Sequence, residues 1–112
     1  MTLESRVGAP QFFTLSSLLE EARLAAQHRL HFHESTHWVA GVIHLTPGQH
    51  DTQTAHDRDE LYLVLRGEAV FRIGADRHPV APGDFWFVPA GIEHRFEDFH
   101  HELVVFYVLV EP

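Results

Sequence analysis

The sequence predicts an all-β domain, an antiparallel β-barrel or double-sheet jelly roll with a short helix near its N-terminal end. From residue 29 onward, short segments rich in β-branched and aromatic residues alternate with turn signals that contain glycine or proline. Many short strands at near-even spacing are typical of a sandwich or barrel. A chain of 112 residues, of which 45% are hydrophobic, suffices for one packed core.

The helix is predicted over about residues 17–27. Ser17 and Glu20 have the spacing of a capping box, and the residues that follow place an apolar side on the helix. We expect residues 1–28 to form an N-terminal extension that carries this helix, and residues 29–112 to form the barrel. The apolar side comprises Leu18, Leu19, Ala22, Ala25 and Ala26.

The strands are predicted between recurring turn signals. Leu30 and Phe32 alternate with polar neighbours in the first strand, and the second strand runs from Trp38 to Leu45. The signals that separate the later strands are Thr46-Pro47-Gly48, Arg66-Gly67, Gly74-Ala75-Asp76, Ala81-Pro82-Gly83 and Pro89-Ala90-Gly91.

Charge and composition narrow the class of partner. The chain contains eight arginines, no lysine and 16 acidic residues. The formal net charge of −8 disfavours binding to nucleic acids and anionic membranes, because both are polyanions. We expect a small-molecule substrate or ligand, no nucleic acid and no membrane. Because cysteine is absent, any metal must be bound by nitrogen and oxygen. Residues 1–10 lack the apolar segment of a signal peptide, which favours a cytoplasmic location.

One segment resembles the first sequence motif of the cupin superfamily. Gly48, Thr54, His56, Glu60 and Gly67 hold the spacing of that motif, in which two histidines and a glutamate lie between two glycines. Thr54 stands where the family has its first histidine.

A second segment resembles the second cupin motif. It consists of Gly83, Pro89, Gly91, His94 and Asp98, with Asp98 where the family usually has asparagine. The 15 residues between the two motifs match the short spacer of small single-domain cupins.

The resemblance implies a metal centre formed by His56, Glu60 and His94. Residues four apart in an extended strand point the same way, so His56 and Glu60 would share a face while His94 approaches from another strand. Two imidazoles and one carboxylate suit Fe(II), Mn, Ni, Co or Zn and leave coordination positions open. We expect one divalent transition metal ion, whose identity these ligands do not determine.

The fourth ligand has three candidate solutions, because the neutral hydroxyl of Thr54 is a poor ligand for such an ion. We rank a site with three protein ligands first. An amide oxygen of Gln53, turned inward by a bulge, ranks second, and His50 near the start of the strand ranks third.

Strand alternation predicts what surrounds the metal. Tyr62 should point inward with Glu60, and Ile92 and Phe96 should point inward with His94. This predicts an apolar cavity suited to a small, partly aromatic or apolar substrate. Tyr62 is the candidate catalytic residue, since its hydroxyl could donate a proton or hydrogen bond to substrate; packing is the alternative role.

The outward faces predict a homodimer. When Glu60 points into the barrel, Leu61, Leu63 and Leu65 point out, and the last strand, Leu103 to Val110, is apolar on both sides. The N-terminal helix could cover part of this surface. A second subunit would cover the rest.

Two classes of function fit these observations. The favoured class is a metal-dependent dioxygenase, or a related oxidoreductase, isomerase or lyase, acting on a small molecule. The alternative is a non-catalytic cupin module that binds a small molecule for sensing or storage, and the fold is shared by both classes. Arg72 and Arg95 are candidate anchors for a substrate carboxylate, with exposed surface positions as the alternative.

Overall fold

The computed structural model describes residues 9–53 and 55–111. Within these residues the chain forms one α-helix, a 3-10 turn and eight strands. They are α1 (Leu15–Leu24), the 3-10 turn (Ala26–His28), β1 (Arg29–Glu34), β2 (Trp38–Leu45), β3 (Asp59–Arg66), β4 (Ala69–Ile73), β5 (Asp76–Val80), β6 (Phe85–Val88), β7 (His94–Glu97) and β8 (Leu103–Val110).

Two antiparallel sheets pack against each other, as expected of a jelly roll. Five strands form the first sheet in the order β1-β2-β8-β3-β6, and the second has the order β5-β4-β7. Tyr62 and Tyr107 of the first sheet and Phe71 and Phe96 of the second are at most 2% exposed and belong to one core cluster. The all-β, double-sheet fold with a short N-terminal helix is therefore confirmed.

The helix begins two residues earlier than predicted and ends three residues sooner. Thr14 is the N-cap, and its Oγ1 accepts a hydrogen bond from the backbone N–H of Ser17 at 3.2 Å. Ser17, the predicted cap, therefore lies inside the first turn, because another residue with a capping hydroxyl precedes it. Ala25 has an extended backbone and terminates the helix.

Helix α1 covers the outer face of the first two strands. Its buried residues Leu18 and Ala22 pack on Val42 of β2, against the partly buried side chains of Leu30 and Phe32 on β1. Since Leu30 and Phe32 face the helix, the alternate residues of β1 face the barrel interior. In the part of the chain that the structure describes, no helix has the length and apolar character needed to cross a membrane.

Gly67, which ends the first motif, is constrained by both conformation and space. Its φ is +83°, and a Cβ at this position would collide with the carbonyl oxygen of Glu102. We expect Gly67→Ala to lower the free energy of unfolding by about 2–3 kcal/mol, because a left-handed alanine and a backbone clash both destabilise the fold. Urea unfolding measures this loss.

Gly74→Ala is the matched control. Gly74 has a φ of +58° but nothing lies within 4 Å of the added Cβ. Only the backbone conformation is then unfavourable, and the expected loss is about 1 kcal/mol. Equal losses in the two variants would contradict the steric part of the argument.

Candidate metal centre

Three potential metal ligands meet in the interior of the barrel. Glu60 on β3 places its Oε1 3.3 Å from His56 Nε2 and 3.1 Å from His94 Nε2. The three ligand atoms lie within 4.8 Å of one another. Among residues 9–53 and 55–111, these three residues form the one group of histidine and acidic side chains that could hold a metal ion. Glu60 and His94 are buried, while the side chain of His56 is a quarter exposed. The three residues could hold one metal ion.

The backbone brings His56 to Glu60 by a route that differs from the predicted extended strand. The chain bends at residues 57–58, and β3 begins only at Asp59. The carbonyl oxygen of His56 accepts a hydrogen bond from Gly91 N–H at 2.7 Å, and Asp59 Oδ1 accepts one from Ala90 N–H at 2.9 Å. The loop that carries His56 is thus held by the turn that precedes His94.

The hydrogen bonds of His94 prepare its Nε2 for a cation. Its Nδ1 lies 2.8 Å from the carbonyl oxygen of Ile92, an acceptor only, so Nδ1 carries a proton. In the neutral ring the Nε2 lone pair then points at Glu60 Oε1. Two acceptor atoms at this distance need a proton or a metal ion between them. This donor set fits a transition metal.

Electrostatics keep the carboxyl of Glu60 ionised. Burial would raise its pKa, but hydrogen bonds with His56 and His94 and the charge of Arg29 outweigh burial and hold the pKa well below its usual range. Burial would lower the pKa of His94, but the hydrogen bonds with Glu60 and with the carbonyl of Ile92 raise it above its ordinary value. Without metal, the pair therefore favours a carboxylate beside a protonated imidazole.

This coupling would make the binding of a metal ion by these residues depend on pH. The raised pKa of His94 means that its protonation stabilises the metal-free fold below about pH 6.5, and this contribution is lost as pH rises through the folded-state pKa. Metal needs the neutral ring, so it must displace that proton at low pH. We expect the increase in Tm caused by Ni(II) to be larger at pH 8 than at pH 6, measured by thermal denaturation. An increase that is the same at both pH values would contradict this.

Gln53 is the fourth-ligand candidate that contacts the site. Its Oε1 lies 3.4 Å from His56 Nε2 and 2.7 Å from the hydroxyl of Tyr62, while its Nε2 donates to Asp51 Oδ2 at 2.7 Å. His50 is exposed and is not among the grouped ligands of the described chain. Thr54 lies outside the described residues.

Tyr62 places its hydroxyl at the centre of the cluster. The hydroxyl oxygen lies 2.7 Å from Glu60 Oε1 and 2.9 Å from His94 Nε2. Burial and the neighbouring Glu60 charge raise the pKa of Tyr62 well above its ordinary value. At neutral pH the phenol therefore keeps its proton and can donate it in a hydrogen bond. The predicted inward orientation of Tyr62 is confirmed.

The surroundings of His56, Glu60 and His94 are more polar than the apolar lining that strand alternation predicted. Ile92 is 39% exposed, because the turn before β7 carries it outside, although Phe96 is buried as expected. Buried Asp51 and Gln53 lie in the interior instead, together with Arg29. The expected apolar lining is therefore wrong on this side of the barrel.

Arg29 is the site residue that sequence reasoning missed. Its Nη2 donates to Glu60 Oε2 at 2.7 Å, whereas Arg72 and Arg95 form surface ion pairs with Glu97 and Glu93. The sequence feature that could have revealed Arg29 is the alternation of polar and apolar residues in β1. If a helix covers the apolar residues of that strand from outside, then its polar residues must point inward.

Comparisons with known proteins agree with this architecture. The family model described as "Cupin domain" matches residues 41–110. An uncharacterized protein of Streptomyces coelicolor is 34% identical over 83 residues, which cover 74% of this chain and 79% of that protein.

Solved structures give the same result. A cupin superfamily protein from Desulfitobacterium hafniense superposes with a TM-score of 0.68 at 20% identity, covering 75% of this chain and 76% of its own. The DMSP lyase DddQ from Ruegeria pomeroyi has a TM-score of 0.63 at 25% identity, and the match covers 70% of this chain and 40% of the lyase. Because the family model matches more than half of the residues, this chain belongs to the cupin family.

Proposed function

We propose that this protein is a metal-dependent enzyme acting on a small molecule, and specifically a dioxygenase, in which His56, Glu60 and His94 hold one divalent transition metal ion. One observation carries the proposal: two imidazole nitrogens and a carboxylate oxygen lie within 4.8 Å of one another in the barrel interior. Two histidines and one carboxylate are the ligand set of non-haem iron oxygenases, which leaves positions open for substrate and dioxygen.

The ion would supply Lewis acidity and, if it is redox-active, electron transfer to dioxygen. The residues of the chain supply orientation. The carbonyl of Ile92 fixes the ring of His94. Arg29 pairs with the far oxygen of Glu60 and would compete with the ion for that carboxylate. Gln53 presents its amide oxygen beside His56, as an additional ligand or as a hydrogen-bond acceptor.

Tyr62 is the proposed catalytic residue. Its protonated hydroxyl lies within hydrogen-bond distance of both Glu60 and His94, so a substrate bound at the metal would be within its reach. A phenol in this position can donate a hydrogen bond or a proton to an oxygen that gains negative charge during the reaction.

Oxygen uptake tests the dioxygenase proposal. Protein loaded anaerobically with Fe(II) is mixed with small aromatic and thiol-containing compounds, and an oxygen electrode records consumption. We expect uptake that matches substrate loss, requires metal and disappears in the Glu60→Gln variant. Absence of uptake across the panel, with Fe(II) bound, would reject dioxygenase activity.

The same samples distinguish the alternatives. Product formed without oxygen uptake would indicate isomerase or lyase chemistry, which the central hydroxyl of Tyr62 and the similarity to a protein named DMSP lyase favour as the second candidate. Ligand binding without any product would favour a non-catalytic module for sensing or storage.

We also propose that two copies of the chain pair through the outer face of the first sheet. Leu61 and Leu63 of β3 lie in register with Phe87 and Phe85 of the edge strand β6, and these two phenylalanines are 57% and 64% exposed. These four residues carry no charge, although the chain has a net charge of −8. Two such faces can meet without the repulsion that the rest of the surface would cause.

Light scattering tests this pairing. We expect a mass near twice 12.9 kDa at micromolar concentration, and Phe87→Glu should lower it to that of one chain, because each copy would bring an unpaired charge into the apolar interface. Leu24→Glu, at an exposed position on α1, is the control and should leave the mass unchanged. A wild-type mass near 12.9 kDa would exclude the homodimer.

A further inference from the structure

Arg29 brings a positive charge into the barrel beside the proposed metal ligands. Its Nη2 donates to Glu60 Oε2 at 2.7 Å, its Nη1 donates to Gln53 Oε1, and its guanidinium carbon lies 4.0 Å from the centre of the Tyr107 ring. Arginine is seldom this deeply buried unless it is paired. Arg29 also lies outside residues 41–110, which match the cupin model, so the family match does not account for it.

The local backbone is arranged to hold Arg29 in this position. The two residues before it, Gln27 and His28, both have left-handed backbones, with φ values of 57° and 56°. Such values are uncommon outside glycine and persist where the surrounding structure requires them. On the other side, a Cβ at Gly41 would collide with the ring and hydroxyl of Tyr107, on which Arg29 stacks. Both features support a specific role for the guanidinium.

The carboxylate of Glu60 divides its two oxygens between two kinds of partner. Oε1 faces the Nε2 atoms of His56 and His94, whereas Oε2 faces Arg29. A metal ion held by the triad would therefore have the guanidinium as its neighbour on the same carboxylate. A second carboxylate, with the same spacing between its oxygens, could bridge the ion and Arg29 in the same way.

The charges of the interior favour such an anion. Arg29 contributes one positive charge, and the buried carboxylates of Glu60 and Asp51 contribute two negative charges. A divalent ion with neutral histidines changes this balance to a net positive charge in a poorly solvated site. Uncompensated buried charge is costly, so a bound monoanion would stabilise the loaded site.

We propose that Arg29 and the metal ion together bind the carboxylate of a small anionic substrate. The inference rests on the proposed metal centre and names the substrate class for it. When metal takes over the charge of Glu60, the hold of that residue on Arg29 weakens, and the planar guanidinium offers its donors to the incoming carboxylate.

Two affinities measured on the Co(II)-loaded protein test this role. The visible spectrum of Co(II) reports binding of acetate, with neutral acetamide of the same size as the comparison ligand. We expect acetate to bind at least about tenfold more tightly than acetamide, and Arg29→Gln to weaken acetate binding by about tenfold or more, the loss expected for a charge-assisted contact. In buffer without carboxylates, Arg29→Gln should bind Co(II) about threefold more tightly or better, because a repelling charge that competes for Glu60 is gone.

The opposite signs separate this role from a structural one. If Arg29 only supported the fold, its replacement would lower both affinities together. Arg29→Lys keeps the charge but not the planar fork, so it should keep the affinity for Co(II) and lose part of the affinity for acetate. Arg23→Gln, on the exposed face of α1, makes the same charge change and should alter neither affinity.

The possible outcomes distinguish a failure of the proposed metal centre from a failure of the proposed role of Arg29. Wild-type protein that binds no Co(II) would overturn the metal centre and this inference together. Protein that binds Co(II) but shows equal affinity for acetate and acetamide, or an Arg29→Gln variant with undiminished acetate affinity, would overturn the role of Arg29 alone. If the glutamine variant fails to fold, Arg29→Lys carries the test, and undiminished acetate affinity in that variant would overturn the role of the planar guanidinium.

Discussion

Glu60→Gln is expected to lower the affinity for a divalent transition metal by at least about 100-fold, more than the 10- to 100-fold losses that follow from changes to residues behind a ligand. The substitution keeps the size of the side chain but removes the negative charge that offsets the cation. It also removes the oxygen that both His56 Nε2 and His94 Nε2 face. Metal analysis of the purified protein and calorimetric titration with Ni(II) measure the loss.

The same variant should destabilise the metal-free protein. The side chain of Glu60 is fully buried and pairs with Arg29, so its neutralisation leaves a buried guanidinium without its counter-charge. Breaking a buried ion pair in this way costs about 3 kcal/mol, measured by urea unfolding in the presence of a chelator.

Glu93→Gln is the matched control for both effects. Glu93 makes a long, exposed contact with Arg95, and the chemical change is identical. Metal affinity and unfolding free energy should stay within the error of the measurement, since exposed pairs contribute little. A Glu60→Gln variant that binds metal like the wild type would remove Glu60 from the ligand set.

Tyr62→Phe is expected to reduce kcat by about 100-fold or more while the metal content stays near that of the wild type. The phenyl ring preserves the packing of Tyr62 against Phe71 and Phe96 in the core. The hydroxyl is lost, together with its hydrogen bond to Glu60 and its proton for the substrate. Turnover of the compound that is active in the oxygen-uptake screen measures the effect.

The division of the loss between kcat and KM identifies the role of the hydroxyl. A group that acts in the transition state lowers kcat and kcat/KM together, whereas a group that only binds substrate raises KM. Equal turnover by Tyr62→Phe and the wild type, with equal metal content, would show that Tyr62 serves only the packing of the core.

Local sequence was enough to predict the fold and to select three residues that the structure brings together. The turn signals separate strands whose bounds the structure confirms, because glycine and proline restrict the backbone wherever they occur. The motif spacing selected His56, Glu60 and His94 from a chain with eleven histidines. The inward orientation of Tyr62 followed from alternation along one strand, which is also a local property.

Three features depended on tertiary structure. Helix α1 begins at Leu15 because Thr14 competes successfully with Ser17 as the cap, and both residues satisfy the same local rule. His56 reaches Glu60 through a bend that the turn at Ala90 and Gly91 holds in place, a contact between segments distant in sequence. Ile92 turns outward for the same reason: it lies in that turn and not in a strand.

The position of Arg29 is a fourth difference, and the largest. Alternation along β1 separates Arg29 and His31 from Leu30 and Phe32, and sequence alone determines that the two sets face opposite ways. It does not determine which set faces the barrel. Helix α1 determines this, because its buried residues cover Leu30 and Phe32 from outside. Arg29 therefore points inward, to Glu60. The physical reason is that an apolar face is stabilised by whichever partner removes it from water.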